Sequence, residues 1–340
     1  MSIIGPANPL IRSLLPKAAR AAALAGAAVL LLCGGLSSQP AAYSAPPKVN
    51  AWLEAKPVCV FPLDGTSATL LPPDRAGLIQ SLDEGMKRLA VIPDQSKLVQ
   101  TDETAYPALR TLRIDLSGST EDADHMPPKL DWHFPPRDGV QVEKFEVIAD
   151  PLLIRGAKVK YDLTATDAQL SFAHDRQDRP ALLLTQAKSG HVEINANHGD
   201  VETLCLAAAK RFAGKYGFSV NAIKLKFSAP NDKTLLAEAD VTLGGMGGHL
   251  DLTGQFVVTD DGIKTATGNA SHLTCHGQGP GGIFLSSLLT GGLLAYDNIS
   301  KPLVEFPFDH MTLRNAKFHV EGTPSEGNLH ITADFGTDQK

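Results

Sequence analysis

Aromatic rings are scarce in this chain: Phe, Trp and Tyr make up 6% of 340 residues. A platform for stacking nucleobases or sugar rings needs more of them and is excluded. A surplus of positive charge is missing as well. With 31 Lys and Arg against 37 Asp and Glu, the net charge is -6, which excludes nucleic acid as a main partner and a polybasic grip on a membrane surface. Cysteine is rare, with 4 residues and no C-x-x-C spacing, so the chain is not a disulfide-dense scaffold. Cys59, Cys205 and Cys275 lie beyond residue 44; they allow one disulfide and one remaining thiol, and their spacing does not choose the pair. The signatures G-x-S-x-G and H-E-x-x-H are absent, and nothing else in the chain argues for an enzyme. What is present is an ordinary hydrophobic share of 43% with 20% charged residues. That balance excludes both a wholly disordered chain and a multi-span membrane protein.

The first 44 residues stand apart because they hold no Asp or Glu. Arg12, Lys17 and Arg20 precede the apolar run from Ala21 to Leu32, and Ala42-Tyr43-Ser44 precedes Ala45. A basic start, a short apolar run and a small-x-small exit form the pattern of a secretory signal. The run is short for a membrane span of ~20 residues, although an uncleaved N-terminal anchor is the other reading. Cys33 follows Leu32, whereas a lipid-attachment cysteine normally follows a small residue. Removing the three positive charges takes the net charge from -6 to -9. The expected location is the periplasm or cell envelope, with any membrane tether at the N-terminus.

Residues 45–73 are Pro-rich and read as a leader or a loosely docked strand. From Asp74 a helix is expected to about residue 89, because Leu78, Ile79, Leu82, Met86 and Leu89 share one face. Residues 117–138 return to loop chemistry, with Glu121, Asp122 and Asp124 beside two Pro-Pro pairs. Long alternating segments follow. Val159-Tyr161-Leu163-Ala165, Leu235-Ala237-Ala239-Val241-Leu243, Leu250-Leu252-Phe256-Val258 and Leu329-Ile331-Ala333-Phe335 each oppose a polar face. A period of two marks strands with one dry side, the habit of antiparallel sheets. Gly244–Gly248 and Asp260-Asp261-Gly262 read as the turns between them. Two further helices are expected, near 200–216 and near 282–296. The second is apolar nearly all round, so it must be buried or touch something greasy. Residues 337–340 form a tail.

Three small motifs have plainer explanations. Gly277-Gln278-Gly279-Pro280-Gly281-Gly282 matches G-x-G-x-x-G, but it follows an antiparallel series and Pro280 removes an amide, so a strand-to-helix hinge fits better than a nucleotide site. His272 and His276 share a strand face while Cys275 points the other way, which splits any metal ligand set. Asp260-Asp261 before Gly262 is turn chemistry. No metal or cofactor is expected.

The order of elements from about Lys188 to Phe335 resembles the LmeA-like phospholipid-binding family, a bacterial envelope group related to the tubular lipid-binding (TULIP) superfamily. The matching pieces are the strand His191–Ala196, the helix Val201–Tyr216, the strands Phe218–Phe227, Leu235–Leu243 and Leu250–Val258, and the turn Asp261-Gly262. They continue through the helix Ile283–Leu294, the segment Pro302–Pro307 and the strands Met311–Val320 and Leu329–Phe335. The AsmA-like envelope proteins offer a related pattern. The resemblance implies an α+β fold in residues 74–336, with a long, strongly twisted antiparallel sheet rolled around amphipathic helices. It implies no catalytic residue and an interior that holds the acyl chains of a phospholipid or another long-chain amphiphile. Leu204, Phe212, Leu243, Leu252, Phe256, Ile283, Phe284 and Leu288 are the expected groove lining. Burying an acyl chain gains ~0.8 kcal/mol per CH₂, about 12 kcal/mol for sixteen carbons, against ~4–15 kcal/mol for association and ordering. The alternative is an envelope structural or interaction protein whose sheet is fully packed and takes no ligand.

Overall fold

The computed structural model describes residues 60–64, 71–93, 97–121, 137–174, 179–214, 217–245, 247–260, 265–294, 299–305 and 312–337. The signal-like segment 1–44, the tail from 338 and Cys59 lie outside them.

The chain enters with β1 (Val60–Pro62), then α1 (Arg75–Lys87) and β2 (Ala90–Val91). Asp74 caps α1 by accepting the Gly77 amide at 2.8 Å, and Leu78, Leu82 and Met86 form its buried stripe. The strands β3 (Val99–Ala105), β4 (Ala108–Asp115) and β5 (Thr120–Glu121) lead to β6 (Arg137–Ile154) and β7 (Ala157–His174). These last two, 18 residues each, form one long hairpin. Arg155 and Gly156 turn it at φ 51° and 88°, the positive values a two-residue hairpin requires. β8 (Pro180–Gln186) and β9 (Ser189–Ala196) both pair with β7. After α2 (His198–Gly214) come β10 (Val220–Asn231), β11 (Thr234–Leu243), β12 (Gly248–Asp260), β13 (Thr265–Gln278) and α3 (Gly279–Leu294). The chain closes with β14 (Ile299–Glu305), β15 (Thr312–Glu321) and β16 (Asn328–Gly336).

The fold is α+β, with the three expected helices within three residues of their expected starts. The single antiparallel sheet needs correction, because the strands divide into two sheets. One has eleven strands, with the main order β15-β16-β9-β7-β6-β4-β3; the other is β10-β11-β12-β13-β14. The larger sheet is mixed, since β4 and β5 run parallel to β6. The stretch 116–136 is long enough for the crossover that a parallel pair needs. Of the Pro-rich segment, Val60–Pro62 pairs with β8, and Phe61 packs edge-on against Phe145 at 5.3 Å.

One hydrophobic cluster runs through both sheets. The expected alternation of β7 holds from Val159 to Ala165, then shifts by one to Ala168, Leu170 and Phe172, and the strand's end is buried on both faces, with Ser171 and Ala173 on the other side. Asp167 sits at the shift with φ 46°, a left-handed conformation uncommon outside glycine. The two sheets meet through α2, which touches β7 and β16 on one side and β10 on the other, and through β15, which touches β10, β11, β12 and β13. The outer edge of β10 is capped at its middle by neighbouring elements. The Leu225 amide donates to Glu202 at 2.8 Å and the Phe227 amide to the Pro324 carbonyl at 3.0 Å. Among the described residues, no helix is long and apolar enough to cross a membrane.

Candidate apolar site on the five-stranded sheet

The smaller sheet has one dry face, and its register places the apolar side chains in rows. Val241 lies between Ile223 and Leu250, Ala239 between Leu225 and Leu252, and Leu235 beside Phe256. β13 adds Cys275 opposite Leu252 and Gly277 opposite Leu250. The other face is polar: Lys224, Asp240 and Asp251 form one cross-strand row, with His276 beyond Asp251. His249 lies 3.4 Å from the Asp240 carboxylate, and the hydroxyls of Thr253 and Thr274 meet at 2.6 Å.

Three elements cover the dry face. α2 lies along β10, α3 along β13 and β12, and β15 crosses beside the β10–β11 turn, where the Phe318 amide donates to the Asp232 carbonyl at 2.8 Å. Between them on β12, Leu252 and Phe256 remain half-buried, although their neighbours Leu235, Val241 and Leu250 are buried.

The G-x-G-x-x-G segment is the device that seats α3. The chain passes from β13 into the helix with no connecting loop, and Gly279 takes φ 74° to reverse it. A Cβ on Gly277 would stand 2.0 Å from the Gly282 carbonyl oxygen, and one on Gly282 would stand 2.4 Å from the His249 carbonyl oxygen. The Gly281 amide donates to the Gly247 carbonyl at 3.1 Å. The glycines therefore let three backbones touch, and the hinge reading accounts for each of them.

The expected lining residues fall into separate groups. Leu204 on α2 and Leu243 on β11 are buried in the core, where they are wall rather than open surface. Leu252 and Phe256 are the half-buried pair. Ile283 and Phe284 face outward, 58% and 51% exposed, whereas the next residue, Leu285, is buried. The side chains of Phe212 and Leu288 lie outside the described ones. Phe284 instead stacks on Phe218 with ring centroids 5.7 Å apart. Phe218, expected as the first residue of the strand Phe218–Phe227, was not among the expected lining residues, because nothing in its own run points to a partner on α3. Ile223, Leu225 and Phe227 were within reach, since they alternate with Lys224 and Lys226.

The dry face offers apolar area and little else. Burial, with the Asp251 charge as a lesser cause, pushes the Cys275 thiol up to about 11. Burial, then Glu202, pushes that of Cys205 to about 12. The two are not joined to each other. Among the described residues, no three His, Cys, Asp or Glu side chains are grouped to hold a metal ion; the His272 side chain lies outside those described. Compared with protein-family models, with curated proteins and with solved structures, the chain shows no match.

Proposed function

We propose that this chain is an exported, non-enzymatic lipid-binding or lipid-transfer protein of the cell envelope. It holds acyl chains of a phospholipid or a similar long-chain amphiphile on the dry face of the five-stranded sheet, as in the LmeA-like, TULIP-type rolls that its C-terminal half resembles. The observation that carries this reading is the half-buried pair Leu252 and Phe256, framed by α2, α3 and β15 on a face that is otherwise dry. An acyl chain lying there would complete the cover that the protein's own side chains leave open, at the ~0.8 kcal/mol per CH₂ that drives such burial.

Native mass spectrometry of protein purified from cells, followed by solvent extraction, should find bound lipid. Leu252→Trp and Phe256→Trp should each fold and lose uptake of a fluorescent fatty acid. If no lipid is found and either Trp variant is destabilised by ~1–3 kcal/mol through overpacking, the face is full. The chain is then a packed structural or interaction protein of the envelope, a reading that the burial of Leu204, Leu243 and Leu250 favours.

A further inference from the structure

We propose that one end of the five-stranded sheet docks on the surface of an anionic lipid bilayer. This end is built where α2 stops, β10 begins, the β11–β12 hairpin turns and α3 starts. The contacts that gather it are local and specific. The Phe218 amide donates to the Ala213 carbonyl at 3.0 Å, which folds Phe218 back over the last turn of α2. The Gly244 amide donates to the Ser219 carbonyl at 3.0 Å, and the Gly281 amide to the Gly247 carbonyl at 3.1 Å. The Phe218–Phe284 stack then joins the end of α2 to the first turns of α3.

Two properties of this end point to a bilayer. The first is its exposed bulk. Of four large hydrophobic side chains exposed among the described residues, Ile283 and Phe284 are consecutive on α3, while Val91 and Leu236 are far apart in the chain. Ser287, on the next turn, turns its hydroxyl inward to the Ile283 carbonyl at 2.8 Å, so the helix backbone satisfies that hydroxyl without water. The second property is charge. The chain has 37 Asp and Glu, yet the stretches 203–231, 241–250 and 263–296 contain none. Those stretches supply all the elements that meet here. Lys210 and Arg211 are exposed on the last turns of α2, close in sequence to Phe218. The opposite end of the same sheet carries Asp232 in the β10–β11 turn and Asp260 at the end of β12. An acidic protein thus presents one end with apolar side chains outward and Lys210 and Arg211 exposed on the adjoining turns of α2, while the nearest carboxylates, Asp240 and Asp251, are set back on the polar face, 3.4 Å from His249 and 3.5 Å from Gln278 respectively. That is the complement of an interface with anionic headgroups above a hydrocarbon edge. A bilayer is the occupant this combination fits, because exposed apolar bulk beside cations matches a hydrocarbon edge under anionic headgroups, whereas the acidic faces elsewhere among the described residues would be repelled. The net charge still excludes a polybasic grip; the attachment is an apolar wedge with a few cations. The inference extends the lipid reading without resting on an occupied groove, because surface docking and acyl uptake are measured separately.

The test is flotation of the purified full chain with vesicles of phosphatidylcholine alone and with about a third phosphatidylglycerol. The wild type should float with both and favour the anionic vesicles. I283S/F284S should lose binding by on the order of tenfold or more while staying folded, its melting temperature lowered by a few degrees at most through loss of the Phe218–Phe284 stack. I283S alone, which breaks no ring stack, keeps the test open if the double variant melts early. Lys210→Glu should weaken binding to anionic vesicles about fivefold and leave neutral vesicles unaffected. Equal flotation of wild type and I283S/F284S would overturn the proposal, and would assign any binding to another part of the chain such as the apolar run 21–32. No flotation of the wild type would overturn it too. So would a dimer in sedimentation that I283S/F284S dissolves, which would make the patch an interface between copies. Loss of fatty-acid uptake in Phe256→Trp with flotation intact would separate the groove from the docking end.

Discussion

Gly277→Ala tests whether the glycine notch seats α3. The added Cβ would lie 2.0 Å from the Gly282 carbonyl oxygen and 2.3 Å from its carbon. Both atoms are backbone, so no side chain can swing aside. The first turn of α3 must retreat by about 1 Å or more to restore van der Waals distance. That movement stretches the Gly281–Gly247 hydrogen bond and lifts Leu285, which is 2% exposed. Losing the bond costs ~1 kcal/mol and the forced repacking ~1–3 kcal/mol, together about 3 kcal/mol. For a chain of this size the melting temperature should fall by about 6 °C or more, read by circular dichroism and by the urea midpoint. Gly214→Ala is the matched control: it ends α2 and a Cβ there meets nothing within 4 Å, so its melting temperature should hold or rise slightly. A Gly277→Ala protein that melts within about 1 °C of the wild type would refute the notch.

Asp74→Ala removes the cap on the Gly77 amide and should cost ~1 kcal/mol in urea unfolding, with the fold otherwise unchanged. Burial resists ionisation of Asp334, but hydrogen bonds from His191 and Asn315, with the charges of His191 and Arg314, outweigh it and hold the carboxyl below its ordinary value. Its stabilisation is therefore present above the unfolded-state carboxylate range and lost as pH falls through the lowered folded value. Asp334→Asn should flatten that acid limb in urea midpoints taken from pH 7 to pH 3, a range about the ordinary Asp value of ~3.9, and an unchanged slope would refute it. Cys275, with its raised thiol on the dry face, should resist iodoacetamide at about pH 8 until the chain unfolds, because the thiolate is the reactive form. Native-state alkylation at the rate of a small thiol would contradict its burial.

The parts of this fold that were legible in sequence are those written in local periods. α1, α2 and the paired strands β11 and β12 follow from 3.6- and two-residue spacing, and glycines mark the β11–β12 turn. What was not legible depends on partners far along the chain. The division into two sheets, and the parallel run of β4 on β6, leave each strand's own alternation unchanged. β1 is three residues long and ends on Pro62, too short for any period to announce it. The outward aim of Ile283 and Phe284 was hidden for the opposite reason: α3 is apolar on every side, so its sequence does not name the face that is left open. Leu204 and Leu243 were recognised as part of the wall, yet only packing separates a wall residue from one that meets solvent.

The capped middle of the β10 edge bears on how the protein meets other copies of itself. A bare edge strand invites another chain to add on, and repeated addition grows fibrils. Here two of the outward amides, at Leu225 and Phe227, are already taken, one by the Glu202 carboxylate from α2 and one by the carbonyl of Pro324 beyond β15. The elements that join the two sheets thus also interrupt that edge as a template for polymerisation, and a chain with its larger sheet loosened would lose this protection before it lost the strands themselves.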